Sequence, residues 1–380
     1  MDVNEKLQHL NSEELSDLIE RYYNNEKVCD LIKEFNINCT SSELYSLFPP
    51  EQFDNNLCMY CNRPMIRNRT SRGSYKGPIY CPSCLHKFDD IDCNCDGCNN
   101  KKRNIILKNY KYSGNIDISE ISLKDRIYIA TLLRGLEWVE CNDKIVIYPL
   151  ETTYKKLAPI FKREIEMLRE LSSKGIISVE CNSNLDAFTG NLLEGTYGDK
   201  YYINKVRYSV NIEYSNELSN PNIDLSDENI DEIYYLVREI IMDECYDYLE
   251  NQMNKVRFAF NPGKITEEVF NDLLDKFSVG QVYSIIYNSI TNATRYYQEG
   301  NVYKNQAANS VITRCRAYGE RIIANNWELK PFSRPRDCEQ SIMSSLFFNR
   351  ILSVGDNYFA TVYSNNSFKN LIKKMTTNLI

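Results

Sequence analysis

Two short cysteine motifs decide the organisation of this chain: Cys58-Met59-Tyr60-Cys61 and Cys81-Pro82-Ser83-Cys84, with 19 residues between them. Each Cys-x-x-Cys turn directs two thiolates to one side of the backbone. Two such turns can close a tetrahedron around a zinc ion, at about 2.3 Å per bond. The spacing is typical of a zinc site made of four protein thiolates. We therefore predict a closed, structural site that leaves no position for a catalytic water.

A second group of ligand-type residues follows the first at once. It consists of His86, Cys93, Cys95 and Cys98, which would make a Cys3His zinc site. Three alternatives remain open from the sequence. These residues are spare thiols, they belong to another register around a single ion, or the ligands interleave between two ions. The sequence thus predicts one or two zinc ions.

The distribution of cysteine points to metal rather than to disulfides. Half of the 14 cysteines fall between Cys58 and Cys98, and the segment Met1 to Leu10 is polar and does not resemble a secretory signal. Clustered thiols of this kind are expected in a reducing cytoplasm, which is the predicted location. No apolar run approaches the roughly 18 residues of a membrane span, so no membrane segment is predicted.

The composition excludes several reaction mechanisms but does not identify one. With 43% hydrophobic and 26% charged residues, the chain is predicted to be globular, and its net charge is -7. Only two histidines, His9 and His86, are present, which removes most histidine-dependent mechanisms. Carboxylates at Glu137, Glu140 and Asp143, with Lys144, resemble a metal-dependent nuclease site only weakly. Enzymatic activity therefore stays uncertain, with a binding protein favoured.

The pattern of apolar residues predicts a multi-domain, mainly α-helical protein with an α+β middle. The expected segments are a helical domain at 1–50, a zinc module at 51–103, an α+β domain at 104–215 and a helical domain at 226–380. In the third segment, a helix at 158–173, a turn at Gly175 and short strands at 176–179 and 201–212 are how a winged-helix domain ends. Many other α/β units share that order.

Basic and aromatic residues surround the cysteines. Residues 62–76 contain five basic residues and no acid, and residues 99–112 repeat that balance. Such side chains on a rigid module neutralise phosphates, and interleaved tyrosines can stack on bases. The residues singled out as nucleic-acid contacts are Arg63, Arg67, Arg69, Arg72, Lys76, Lys101, Lys102 and Arg103. The alternative is that these loops dock on the acidic block 213–250, which holds twelve acids and one base.

The segment 15–48 resembles the helix-turn-helix family found in recombinases and small regulators. Residues 26–35 match the first helix, residues 36–39 the turn and residues 40–48 the recognition helix. The resemblance implies that Ser42 and Tyr45 face a DNA groove, together with Ser41 and Ser46. The matched recognition helix lacks the usual base-reading side chains and carries Glu43. A three-helix interaction domain is the alternative.

Residues 58–84 resemble the zinc-ribbon family, whose members bind DNA, RNA or protein. The order of segments along the whole chain resembles bacterial multi-domain proteins, which implies a regulator or a component of a mobile element or defence system. The expected function is therefore that of a cytoplasmic zinc-containing nucleic-acid-binding protein, with DNA favoured as the partner. Two alternatives are kept: a protein-interaction scaffold or self-associating protein that binds no nucleic acid, and a metal-dependent nuclease.

Overall fold

The computed structural model describes residues 3–110, 114–141, 144–213, 216–221, 223, 229–300, 302–365, 367–370 and 372. The chain forms two compact units. The first unit contains Met1–Asn109 and Phe188–Tyr201, and the second contains Tyr110–Ala187 and Tyr202–Ile380. The predicted helical and zinc segments, 1–50 and 51–103, thus fall in one unit. Most of the two later segments falls in the other.

The helices and strands, each numbered in chain order, have the following bounds. The helices are α1 Ser12–Tyr23, α2 Val28–Glu34, α3 Leu44–Leu47, α4 Asp96–Asn109, α5 Leu123–Gly135, α6 Phe161–Ser173, α7 Asn216–Ser219, α8 Ile230–Lys255, α9 Lys264–Leu274, α10 Val279–Gln298, α11 Lys304–Ala324 and α12 Ile342–Ser345. The strands are β1 Glu51–Leu57, β2 Pro64–Arg67, β3 Trp138–Cys141, β4 Lys144–Ile147, β5 Ile177–Val179, β6 Phe188–Thr189, β7 Lys200–Tyr201 and β8 Tyr208–Val210. A π-helical turn, Leu346–Ile351, continues α12.

The first helices of unit 1 pack around a small apolar core. Asn11 caps α1 by accepting hydrogen bonds from the backbone of Glu13 and Glu14, and the Glu14 side chain accepts one from the backbone of Asn11. This reciprocal arrangement satisfies backbone groups that would otherwise be unpaired, which is why α1 begins at Ser12. The buried core residues are Leu7, Leu18, Tyr22, Leu31, Ile37, Leu44 and Phe48.

The third helix is much shorter than the helix-turn-helix resemblance implies. Residues 40–48 were expected to be helical, but α3 spans only Leu44–Leu47. The Glu43 carboxylate accepts a hydrogen bond from the Thr40 backbone, at 2.9 Å, and so holds a turn in front of the helix. One helical turn is too short to lie along a major groove in the way that a recognition helix does.

The cysteine-rich part of unit 1 is built on a small antiparallel sheet. β1 pairs with β2, Ile66 bridges to Tyr80, and Tyr80 bridges to Lys87. Among the described residues, its buried cluster is Cys58, Met65 and Cys81, with half-buried side chains such as Tyr60 and Ile79 packed against it. After it comes α4, which the sequence did not predict and which continues without interruption across the expected boundary at 103.

Unit 2 contains a four-stranded antiparallel sheet in the order β3-β4-β8-β5. Helix α6 ends as predicted, with Gly175 in the left-handed conformation at φ 71°. The strand expected at 201–212 is divided in two: Lys200–Tyr201 pairs with Phe188–Thr189, and only Tyr208–Val210 joins the larger sheet. The turn at Lys205, whose N–H bonds to the Tyr202 carbonyl at 2.9 Å, separates the two pieces.

The rest of unit 2 is a helical assembly around α8 and α10. The acidic side chains of α8 pair with basic residues of the same unit: Arg163 contacts Asp243 at 2.6 Å, and Lys156 contacts Asp247 at 2.6 Å. Part of the acidic block thus holds unit 2 together. Asp224, Asp227 and Glu228 of that block, and the helix start expected near Ser226, lie outside the described residues. Within the described part, no helix combines the length and apolar character needed to cross a bilayer.

Candidate metal centres

Four cysteines converge at the tips of the two knuckles. The Sγ atoms of Cys58 and Cys84 are 3.4 Å apart, those of Cys61 and Cys81 are 3.2 Å apart, and those of Cys61 and Cys84 are 3.8 Å apart. Four sulfurs bound tetrahedrally to one ion at about 2.3 Å lie about 3.8 Å from one another. The cluster is therefore geometrically suited to hold a metal ion such as zinc.

The two knuckles have the same backbone geometry. In the first, the Cys58 N–H donates to the Arg63 carbonyl and the Asn62 N–H donates to the Cys58 carbonyl, both at 2.8 Å. In the second, the Cys81 N–H donates to the His86 carbonyl and the Leu85 N–H to the Cys81 carbonyl. The residue after each second cysteine is left-handed, with φ 54° at Asn62 and φ 59° at Leu85. This shared turn aims both thiols of each knuckle at one point.

The second cluster is separate from the first. His86 Nδ1 lies 3.5 Å from the Sγ of Cys93, 3.8 Å from that of Cys95 and 3.4 Å from that of Cys98. These four ligand atoms form one group, and the four cysteines of the knuckles form another. The predicted Cys3His set is the one that the fold brings together, and no ligand is shared between the clusters. This cluster, too, is geometrically suited to a zinc ion.

Tyr60 connects the two clusters. It lies inside the first knuckle, its hydroxyl donates to Cys98 Sγ at 3.3 Å, and its ring packs edge-on against His86 at 4.9 Å. The ring also rests on Gly97, where an added Cβ would come within 2.5 Å of it. Sequence reasoning missed these two residues, because neither is a ligand and spacing does not reveal which ring contacts which glycine.

Without a cation, the pKa values of the cysteine ligands are shifted in different directions. Burial raises the pKa of Cys84 well above its usual range, and burial raises that of Cys98 to about 12. At Cys81, burial opposes ionisation, but hydrogen bonds from the Cys84 backbone and the Cys61 side chain lower the pKa to about 7. Burial lowers the pKa of His86, which favours the neutral imidazole that a metal needs. Four neighbouring thiolates require a divalent cation, whose role in a closed site is to hold the fold.

Four of the eight basic candidates have partners inside unit 1. Arg67 pairs with Glu51, directly opposite it in the β1–β2 register, at 2.6 Å. Arg69 donates to the Pro49 carbonyl at 3.0 Å, and the Arg72 guanidinium stacks 4.1 Å from the centre of the Tyr22 ring. Lys102 is only 8% exposed and donates to the Cys93 carbonyl at 3.4 Å. In this structure Lys102 supports the second cluster, and its contact with phosphate stays a prediction.

The other four basic candidates remain on the surface. Arg63, Lys76, Lys101 and Arg103 are exposed, as is Lys108 on the same helix as Lys101. Among the described residues, none of these five has a carboxylate within 4.0 Å. Tyr75, between Arg72 and Lys76, is 90% exposed. The basic surface is thus narrower than the sequence indicated, and its cations are unpaired in the part of the chain that the structure describes.

The remaining candidates are not brought together into a site. Ser42 is exposed and its hydroxyl lies 3.1 Å from that of Thr40, whereas Tyr45 packs against the helical core. Glu140 lies exposed on β3, and Asp143 falls outside the described residues.

Comparison of this chain with protein families, with curated proteins and with solved structures gives no match in any of the three.

Proposed function

We propose that unit 1 is a metal-stabilised module that binds nucleic acid through the exposed cations next to its two clusters. The observation that carries the proposal is the set Arg63, Lys76, Lys101, Arg103 and Lys108, which are exposed and, within the described residues, without an acidic partner. Unpaired surface cations on a rigid support are the elements that neutralise phosphates. The helix-turn-helix and winged-helix resemblances are not needed for this proposal.

An exposed tyrosine ring favours single-stranded over duplex nucleic acid as the ligand. Tyr75 is 90% exposed and is next to Lys76. Stacking of one base on such a ring is worth roughly 1–3 kcal/mol and needs an unpaired base. DNA is the favoured polymer, and it enters as a single strand rather than through a recognition helix. Among the described residues, no group of base-reading side chains supports sequence specificity, so binding is expected to depend strongly on salt and weakly on sequence.

The proposal is tested by titrating the zinc-loaded full chain into labelled single-stranded and duplex DNA and RNA across a salt series. The double variant K101Q/R103Q removes two of the exposed charges on α4. The matched control is K27Q/K33Q, which removes two exposed lysines, one at the N-cap of α2 and one in its last turn. Wild type should show a steep negative dependence of affinity on salt. The α4 variant should flatten the dependence and the control should not. Equal behaviour of the two variants would contradict the proposal.

A second candidate is a protein-binding module, and a specific observation favours it. Exposed apolar side chains are concentrated around the knuckles: Leu57, Met59, Leu85, Phe88 and Ile91, with Met59 61% and Leu85 66% exposed. Clusters of exposed apolar residues commonly mark interfaces between proteins. Met59 follows Cys58 and Leu85 follows Cys84, and the sulfurs of those two cysteines are 3.4 Å apart.

The two candidates are separated by one further variant. M59S/L85S removes two apolar side chains and no charge, so it should leave nucleic-acid affinity unchanged if the cations bind the ligand. A scaffold should instead show no binding to any nucleic acid at low salt. Its self-association, followed by sedimentation, should weaken in M59S/L85S and not in K101Q/R103Q.

A further inference from the structure

A cavity in unit 2 has no role in the proposed function. It measures about 320 Å³ and lies between the end of α5 and the segment from Gln340 to Arg350. Its polar lining comes from Arg134, Gln340, Ser341, Ser345 and Arg350. Two guanidinium groups thus line the cavity, and no described carboxylate does.

The two arginines converge on one neutral oxygen. Arg134 Nη2 donates to Asn220 Oδ1, and Arg350 Nη1 lies 3.4 Å from the same atom. Among the described residues, neither arginine has a carboxylate within 4.0 Å. Burial and then the charge of Arg350 lower the pKa of Arg134. Two like charges are therefore held close together without an anion.

Other arginines of unit 2 have a carboxylate partner, which neither Arg134 nor Arg350 has among the described residues. Arg163 contacts Asp243 at 2.6 Å, and Arg334 contacts Glu244 at 2.8 Å. Both of those guanidinium groups are compensated by a buried carboxylate of α8. Among the described residues, the Arg134–Arg350 pair has no such carboxylate partner.

The polar groups of the cavity are held in place by the fold. Ser341 Oγ accepts a hydrogen bond from the Ser344 backbone, and Ser345 Oγ accepts one from Asn349. Each hydroxyl therefore still has its O–H to donate. Arg350 is at the end of the π-helical turn, a rare conformation that is frequent at functional sites. Arg134 is fixed from its other side by the Ser219 carbonyl, at 2.8 Å from its Nε.

We propose that this cavity binds the phosphate group of a small phosphate monoester. Paired guanidinium groups present planar forks of donors that match phosphate oxygens, and the hydroxyls of Ser341 and Ser345 add two further donors. The volume of about 320 Å³ admits a phosphate and the first atoms of the molecule that carries it. The bound dianion replaces Asn220 as the acceptor between the two arginines.

Inorganic phosphate is the probe, added to the full chain and followed by calorimetry and by thermal melting against chloride at matched ionic strength. Arg350 is exposed, so R350Q should fold normally, and R134Q tests the second guanidinium. R321Q, an exposed arginine of α11 outside the cavity, is the matched control. Wild type and R321Q should bind phosphate, and R350Q and R134Q should bind it at least about ten-fold more weakly, since each loses charge-assisted hydrogen bonds.

Three outcomes would overturn the proposal. The first is an equal thermal shift in all four proteins, which reveals general stabilisation by an excluded salt. The second is no phosphate binding in the wild type. The third is that R350Q weakens binding of an unphosphorylated single-stranded oligonucleotide while phosphate itself does not bind, which would assign the arginines to a nucleic-acid surface. A phosphate monoester such as glycerol phosphate that binds more tightly than inorganic phosphate would support the ester.

Discussion

The cysteine-rich part of unit 1 and the helices of unit 2 differ in how much apolar core they contain. In the cysteine-rich part of unit 1, the buried cluster of the described residues is Cys58, Met65 and Cys81, and two of these three residues belong to one of the two groups of four ligand-type residues. Unit 2 has an extended apolar core along α8 and α10, in which Ile233, Val237, Tyr283 and Ile286 are fully buried. The difference indicates that the short cysteine-rich segment needs another source of stability, which metal coordination would supply, whereas the longer helical segment buries enough apolar surface to fold without metal.

The largest effect is expected from metal removal. Chelation of the full chain should unfold residues 58–98 and leave α8 and α10 folded, because roughly 10–16 kcal/mol of apparent binding free energy is lost only in unit 1. Hydrogen exchange of peptides from both units, with and without chelator, measures this. A single shared loss of protection in both units would show that the module does not fold separately.

The next largest effect is expected inside unit 2. Arg163→Met leaves Asp243 buried and without its 2.6 Å partner, which should cost about 3–5 kcal/mol near neutral pH. The neighbouring variant Lys162→Met, at an exposed position, should change the free energy of unfolding by less than about 0.5 kcal/mol. Urea denaturation of the two variants measures the difference. Equal free energies of unfolding would contradict the stabilising role of the buried Arg163–Asp243 pair.

The pH dependence of this pair has a definite sign. Burial raises the pKa of Asp243 to about 6, so the folded chain binds a proton more tightly than the unfolded chain does. The stability contributed by this group therefore falls as pH rises from about 4 to about 6. In Arg163→Met the pKa rises further, since the hydrogen bond that lowers it is gone. The loss in free energy of unfolding of Arg163→Met relative to wild type should be smaller at about pH 5 than near neutral pH. A larger loss at about pH 5 would contradict the raised pKa of Asp243.

A smaller effect is expected at the contact between the two clusters. Gly97→Ala places a Cβ within 2.5 Å of the Tyr60 ring, and such overpacking typically costs about 1–3 kcal/mol. The variant should lose metal from the second cluster at a lower chelator concentration than wild type. Gly77→Ala, where nothing lies within 4 Å, is the control and should behave like wild type. If both variants retain metal equally well, the Tyr60 ring moves aside without destabilising the second cluster, and the prediction is wrong.

The smallest effect is a gain. Leu85 is left-handed at φ 59° and 66% exposed, a conformation that costs a leucine roughly 1–2 kcal/mol. Leu85→Asn should therefore stabilise the module by up to about 1 kcal/mol, since asparagine tolerates this conformation and occupies the equivalent position at Asn62. Met59→Asn is the control without a left-handed backbone. A loss of stability in Leu85→Asn would show that the leucine side chain packs against the fold.

The sequence predicted the ligands of both clusters, because thiol spacing reports local turn geometry. It also predicted the end of α6 at Gly175, which depends on neighbouring residues only. It did not predict α4, whose polar first turn belongs to the cysteine-rich loop. Nor could charge counts show which arginines are used internally, since the pairing of Arg67 with Glu51 depends on strand register. Long-range partners of this kind are set by tertiary packing.

The central claim is that two separate metal ions hold the cysteine-rich part of unit 1, residues 58–98. Native mass spectrometry of the purified full chain counts them directly. The account predicts two zinc ions in wild type, one in C58S/C61S and one in C93S/C95S. A wild type with fewer than two ions, or loss of both ions in either double variant, would contradict it.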